Sequence, residues 1–153
     1  MPGERCCVAL GDTMRYMTSP LSLRLSDDAV ERLGERARRA GTRPRTLAQR
    51  YVEEGLRMDE HPLVRFVDGP AGRRARLVGT GKDVWEVIAV VRENDGDVRE
   101  ASDYLELPFG LAQAAVTYFG AYPDEIDGWI ELNRRESDDA RAAFEAGQAL
   151  LRR

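Results

Sequence analysis

The amino-acid sequence predicts a mostly α-helical protein with a few short β-strands. Apolar and polar side chains alternate over residues 21–25 and again over 63–78, and this period of two is typical of strands with one exposed face. Elsewhere, apolar residues recur at the spacing of amphipathic helices, between helix caps and turn residues. The predicted order is therefore a strand and two helices, a small hairpin, three short helices and a C-terminal helix.

The first predicted domain spans 19–58. Its strand places three leucines on one face, namely Leu21, Leu23 and Leu25. Ser26 then suits the N-cap of a helix that Gly41 ends, and Pro44 suits the first turn of a second helix. The apolar stripes of the two helices include Leu33, Leu47 and Tyr51.

A strand without a sequence neighbour leaves the hydrogen-bonding groups of its backbone unpaired. A unit of about forty residues also buries too little surface to fold alone. We therefore expect two copies to pair their strands antiparallel above four helices. The expected dimer core consists of Leu21, Leu23, Leu25, Leu33, Leu47 and Tyr51. The other face of this two-stranded ribbon carries Ser22 and Arg24 from both copies, and such a ribbon fits the DNA major groove.

The stretch LSLRLSDDAVERL, the break at Gly41 and the second amphipathic helix together resemble the ribbon-helix-helix family of DNA-binding proteins, as in Arc-type and CopG-type repressors. The resemblance implies that outward strand positions and the start of the second helix bind DNA, here Pro20, Ser22, Arg24, Arg43, Arg45 and Thr46. Arg43 departs from the family pattern, which often has a Ser or Thr cap at that place. Its guanidinium can still reach a phosphate.

Charge is distributed unevenly along the chain, whose formal net charge is -4. Residues 1–79 carry 15 basic and 11 acidic side chains, a net of +4, whereas residues 80–153 carry 8 and 16, a net of -8. A basic front half and an acidic back half suggest two separate functions.

The inventory of side chains argues against an enzyme and against a bound cofactor or metal. The single histidine, His61, lies at a predicted domain boundary and is expected to be a linker or cap residue. There is no Cys or His partner set and no phosphate-binding glycine loop. The adjacent Cys6 and Cys7 form no disulfide framework, and no apolar run approaches a membrane span, so we expect a reduced, cytoplasmic protein. Residues 1–18 lack periodicity and are predicted to be a disordered arm.

The second predicted domain spans 62–133 and begins with a hairpin. Its turn lies at 68–72, where Asp, Gly and Pro are concentrated. The return strand carries Arg73, Arg74 and Arg76, and these arginines have three interpretations. They are a solvated strand edge, a phosphate clamp or a contact for an acidic partner.

Three short helices follow the hairpin. Asp83 with Glu86, and Asp97 with Glu100, have the spacing of capping boxes at the starts of the first two. This arrangement is typical of a helix-turn-helix core, although residues 105–107 are Leu-Glu-Leu where a strict signature has a glycine. Because the segment is acidic, we expect it to pack or to bind a partner rather than to contact phosphates.

A second resemblance covers residues 62–133. The matching positions are Gly79-Thr80, Ala114-Ala115, Tyr118 and the PDEID stretch that begins at Pro123. They are similar to a short helix-turn-helix domain that is common in VapB-type antitoxins of bacteria. Combined with the ribbon-helix-helix segment, this looks like the antitoxin of a type II toxin–antitoxin pair. The resemblance implies a partner encoded next to it, a PIN-type ribonuclease toxin.

The predicted tail spans 134–153, and Ser137 followed by two aspartates suits the start of another helix. Two alternatives stay open, a helix packed on the domain and an exposed amphipathic helix that awaits a groove on a partner. The resemblance implies that the C-terminal part binds the toxin and places an arginine near its acidic metal site. The candidate toxin-binding residues are Arg73, Arg74, Arg134, Arg135, Arg141, Phe144 and Leu151.

The expected function is that of an antitoxin, which binds double-stranded operator DNA as a homodimer or higher even oligomer and neutralises a toxin through its C-terminal half. No membrane partner is expected. The alternative is a stand-alone ribbon-helix-helix repressor without a toxin. The two hypotheses differ in whether a partner is encoded beside the chain and co-purifies with it.

Overall fold

The computed structural model describes residues 22–152 of the chain. Within this range it contains six helices and one two-stranded antiparallel sheet, which confirms the prediction of a mostly α-helical protein with a short β component. The expectations for Pro20, Leu21 and the arm 1–18 lie outside the described residues.

The first two helices form where the sequence predicts them. Helix α1 spans Asp27–Arg39, and the Oγ atom of Ser26 accepts a hydrogen bond of 3.3 Å from the backbone N–H of Ala29. Gly41 follows with a φ of 60°, a left-handed conformation that glycine adopts without strain. Helix α2 then spans Pro44–Glu60. The predicted N-cap of α1 and the predicted break are both confirmed.

Residues 22–26 make no strand pairing with the rest of the described range, 22–152. The partner predicted for this strand is the same segment of a second copy. The ribbon therefore stays a prediction.

The hairpin is confirmed. Strand β1, Val64–Gly69, pairs antiparallel with strand β2, Gly72–Leu77, and the register runs from Val64 opposite Leu77 to Gly69 opposite Gly72. Two residues therefore make the turn, as in the tight connections of other hairpins.

Helices α3, α4 and α5 span Val84–Glu93, Val98–Tyr104 and Phe109–Ala121. The backbone N–H of Asp83 donates a hydrogen bond of 2.6 Å to Glu86 at the start of α3. Between α4 and α5, Glu106 has a φ of 54° and takes the left-handed conformation for which glycine is the usual residue. The turn between α4 and α5 therefore forms without the glycine of a strict helix-turn-helix signature.

The hydrophobic core lies between the hairpin and helices α3 to α6. Its fully buried side chains come from every one of these elements and include Leu77, Val84, Val87, Ala101, Ala115, Tyr118 and Ile126. The hairpin and helices α3 to α6 thus share one core.

The last helix corrects one prediction. Helix α6 is continuous over Pro123–Leu151, whereas the sequence predicts a new helix at Ser137. No proline interrupts this stretch, and ion pairs flank Ser137: Glu131 pairs with Arg134 at 3.0 Å and with Arg135 at 2.8 Å before it, and Asp138 pairs with Arg141 after it. Such pairs at helical spacing stabilise an uninterrupted helix. Every described residue from 132 onwards is exposed, so the alternative of a last helix packed on the domain is wrong.

Candidate nucleic-acid and partner interfaces

An open apolar groove lies on the N-terminal helix pair, between residues 22–26, α1 and α2. Its volume is about 380 Å³. Its apolar lining consists of Leu23, Leu25, Ala29, Leu33, Ala48, Tyr51 and Val52, with Arg32 and Arg36 beside them. We call this surface the helix-pair groove.

Large apolar side chains are unusually exposed in the helix-pair groove. The exposed fractions are 57% for Leu23, 49% for Leu25, 42% for Val52 and 39% for Tyr51. Singly exposed apolar residues are ordinary, but a contiguous group of them marks an interaction surface. Four of the residues predicted for a dimer core, Leu23, Leu25, Leu33 and Tyr51, therefore line one surface.

Leu47 is different from the other predicted core residues. It is only 1% exposed within the single chain, so it supports α1 and α2 from inside rather than lining the helix-pair groove. Sequence reasoning missed Ala29, Ala48 and Val52. Their signal was present at helical spacing, because Ala29 lies four residues before Leu33, and Ala48 lies three before Tyr51 and four before Val52.

The described residues predicted to contact DNA are all exposed, namely Ser22, Arg24, Arg43, Arg45 and Thr46. Among the ion pairs of residues 22–152, none includes Arg24, Arg43 or Arg45. Their charges are thus uncompensated by a direct carboxylate partner in that range. Arg43 is the N-cap of α2 and makes no side-chain capping bond. The amides of the first turn of α2 lack that cap, and the helix dipole favours an anion there.

The arginines of strand β2 have partners inside the chain. Arg73 makes two hydrogen bonds to the Glu54 carboxylate, of 2.5 and 2.7 Å. Arg74 and Arg76 both pair with Asp83, whose side chain is almost fully buried. The structure therefore gives these arginines an internal role that none of the three sequence interpretations named. Arg73 and Arg74 become weaker candidates for toxin contact, because a partner would have to replace buried ion pairs.

The C-terminal part of α6 carries a second exposed apolar surface. Its members share one side of the helix and are Ala140, Ala143, Phe144, Gly147, Leu150 and Leu151. Phe144 is 66% exposed and Leu151 is 89% exposed. At helical spacing this tail stripe continues the side of α6 on which Ile126 and Trp129 lie. Arg134, Arg135 and Arg141 beside it are exposed, and each pairs with a carboxylate within the helix.

His61 has the capping role that the sequence predicts. It is the C-cap of α2, and its backbone N–H donates a hydrogen bond of 2.8 Å to the carbonyl of Arg57. Its ring also lies edge-on to Tyr118 and Tyr122, at centroid distances of 5.1 and 5.9 Å. This aromatic contact joins the end of α2 to α5, which the sequence did not reveal.

Residues 22–152 contain no group of three or more His, Cys, Asp or Glu side chains arranged to hold a metal ion. In the same range, no helix combines the length and apolar character needed to cross a membrane. Comparison of the chain with protein-family models, with curated proteins and with solved structures gives no match.

Proposed function

We propose that the protein is an antitoxin that binds operator DNA as a dimer and neutralises a toxin encoded beside it. The helix-pair groove is the observation that carries the proposal. It supports a dimer because a leucine-lined surface this exposed is stable only when covered. Complete burial of an exposed Leu or Val side chain contributes about 1.5–3 kcal/mol, and these side chains are about half exposed, so the sum over both copies offsets the loss of freedom on association.

The occupant that we propose for the helix-pair groove is the same surface of a second copy. Residues 22–25 lie at its edge, and their backbone groups make no backbone hydrogen bond to another described residue. Antiparallel pairing of two such segments satisfies those groups and covers Leu23 and Leu25 at once. The same pairing brings two Ser22 and two Arg24 side chains onto one outward face.

DNA is the ligand that this face suits best. A two-stranded ribbon enters the major groove, and arginine forms paired hydrogen bonds to a guanine edge. Arg43, Arg45 and Thr46 are exposed at the N-terminus of α2, where backbone amides and the helix dipole favour a phosphate. The basic balance of residues 1–79 is consistent with this assignment.

The tail stripe supports the second part of the proposal. A single exposed helix is marginally stable in water, and an amphipathic one commonly folds into the apolar groove of a partner. We propose that a toxin supplies that groove and that Phe144 and Leu151 are the apolar anchors. The resemblance to VapB-type antitoxins makes a PIN-type ribonuclease the expected toxin.

The test is co-expression of the chain with the product of the neighbouring reading frame. We expect that product to arrest growth alone, to be harmless together with the chain, and to co-purify with it. Phe144→Glu and Leu151→Glu should abolish both rescue and co-purification. Ala142→Glu and Ala149→Glu add the same charge on the opposite side of the tail and should leave both intact.

A neighbouring product that neither arrests growth nor co-purifies would contradict the antitoxin. Binding of the isolated chain to its own upstream DNA under that outcome would establish the stand-alone repressor instead.

A further inference from the structure

Arg57 of α2 joins three parts of the second domain. Its Nη1 atom donates hydrogen bonds of 2.5 Å to Glu125 in α6 and of 3.2 Å to the hydroxyl of Tyr118 in α5. Its guanidinium also lies 4.2 Å from the ring centroid of Tyr122, in cation–π contact. Burial opposes the charged form of Arg57, but the bonds to Glu125 and Tyr118 outweigh it and raise its pKa. The guanidinium therefore stays charged and bonded.

Glu54 makes a second connection, one turn earlier on α2. Its side chain is largely buried, and both its oxygens accept hydrogen bonds from Arg73 of strand β2. Paired bonds between a guanidinium and a carboxylate fix orientation as well as distance. Arg50 lies 3.7 Å from the same carboxylate on its own helix. Removal of Arg73 would leave the buried Glu54 with only this longer contact, and removal of Glu54 would leave Arg73 paired only with the exposed Asp68, at 3.1 Å.

The end of α2 provides a third connection. The hydroxyl of Tyr122 donates a hydrogen bond of 3.2 Å to Glu60, next to the contact of His61 with both tyrosine rings. The backbone between α2 and β1 is residues 61–63 alone. A linker this short limits separation of the domains, but its dihedral angles still permit rotation. The side-chain contacts remove that rotation.

The residues of these contacts occupy one side of α2, because Arg50, Glu54 and Arg57 follow at intervals of four and three residues. Ala48, Tyr51 and Val52 lie on the other side and line the helix-pair groove. One helix thus presents the proposed dimer surface on one side and holds the second domain on the other.

We infer that Glu54, Arg57 and Arg73 are positioning residues that hold the second domain, including α6, in one orientation on α2. The two halves of the chain then tumble as one body. A consequence, which rests on the proposed function, is that the two tails of a dimer leave it in fixed directions. A partner bound to a tail would act on α2, and so on operator binding, through these three side chains.

The orientation is tested by residual dipolar couplings of the ¹⁵N-labelled full-length protein in a weakly aligning medium, without DNA or partner. One alignment tensor is fitted to the couplings of the amides in α1 and α2, and a second tensor is fitted separately to those in α3 to α5. We expect the two tensors of the unaltered protein to be equal in magnitude and direction. In a variant with Glu54→Gln and Arg57→Gln, we expect tensors that differ in both.

Arg92→Gln is the matched control. Arg92 pairs with Asp127 at 2.6 Å and lies over the Phe119 ring. The substitution therefore removes a similar ion pair and ring contact, but one that lies within the second domain. Equal tensors should persist in this variant. If the double variant does not fold, Arg73→Lys keeps the charge and loses the paired geometry, and it should weaken the agreement of the tensors.

Unequal tensors in the unaltered protein would overturn the inference, and so would equal tensors in the folded double variant. Neither result depends on DNA or toxin binding. Failure of this inference is therefore distinguishable from failure of the proposed function.

Discussion

The arginines divide into those that form ion pairs within the chain and those that form none within residues 22–152 and can bind a ligand. Arg73 and Arg74 belong to the first class, and Arg24, Arg43 and Arg45 to the second. Sequence composition cannot separate the classes, because all five are arginines in a basic region. The pairing geometry separates them, and it directs the DNA predictions to Arg24 and Arg45.

Arg24→Ala is expected to cost about 1–3 kcal/mol of operator binding and to relax base preference at one position of each half-site. Arg45→Ala is expected to weaken binding to all duplexes equally and to reduce the salt dependence, since its proposed contact is a phosphate. Fluorescence anisotropy with upstream DNA, in a series of salt concentrations, measures both effects. Arg39→Ala, on an exposed α1 arginine, is the control. An unchanged footprint and affinity for Arg24→Ala would rule out the ribbon as the reader of DNA.

We expect Tyr118 to make the free energy of unfolding depend on pH in the alkaline range. Burial raises the pKa of this phenol above its ordinary value of 10.0, and the Glu125 carboxylate raises it further. The unfolded chain therefore loses the tyrosine proton at a pH where the folded chain keeps it. The free energy of unfolding should fall as the pH rises above about 10.

Urea midpoints measured from neutral pH to above this range test that expectation. Tyr118→Phe should lower stability at neutral pH by about 1 kcal/mol for each lost hydrogen bond, and should flatten the alkaline decline. Tyr104→Phe, at an exposed position, is the control and should leave the decline unchanged. An equally steep decline in Tyr118→Phe would show that another group causes it.

Secondary-structure elements show which surfaces depend on a partner. The helix-pair groove and the tail stripe are both apolar surfaces on regular helices, and both are uncovered in the single chain. Their positions at opposite ends of the chain fit two different partners. Whether each surface contacts a partner can be tested by a substitution within the segment that carries it.

Leu23→Asp should dissociate the proposed dimer, because a carboxylate in its shared core would be buried without a partner. Sedimentation velocity over a range of concentrations measures the change. Leu150→Asp adds the same charge on the tail stripe and should leave the dimer intact. Dissociation by Leu150→Asp, with a persistent dimer in Leu23→Asp, would place the contact in the tail instead.

Ser137→Pro should break α6 without destabilising the second domain. Proline in a helix interior costs about 3 kcal/mol locally, but the residues beyond position 132 are exposed and contribute nothing to the core. Circular dichroism should show a loss of helix, with the thermal midpoint of the domain unchanged within error. A midpoint lowered by several degrees would mean that the tail packs on the domain.

The whole molecule joins a helix pair with an exposed apolar groove to an acidic domain with its own core. Three side-chain connections join the two, and two of them, Arg57 to Glu125 and Tyr122 to Glu60, cross the charge boundary near residue 79. The predicted domain limit at 58–62 coincides with the end of α2 at Glu60. The sequence did not reveal the ion pairs and hydrogen bonds that connect the two sides of that limit.

The sequence by itself determined the type and order of the elements from α1 to α5, because periodicity, caps and turn residues act over a few neighbouring positions. Ser26, Gly41, the Asp83–Glu86 box and the hairpin turn are all read from such windows. The tertiary structure alone decided which charges are used internally, since Arg73 meets Glu54 across 19 residues and Arg57 meets Glu125 across 68. It also decided that α6 runs on past Ser137, because ion pairs at helical spacing on both sides of this residue stabilise one continuous helix and override the local cap signal. Contacts between distant residues depend on how the elements pack, and no short window of sequence contains that information.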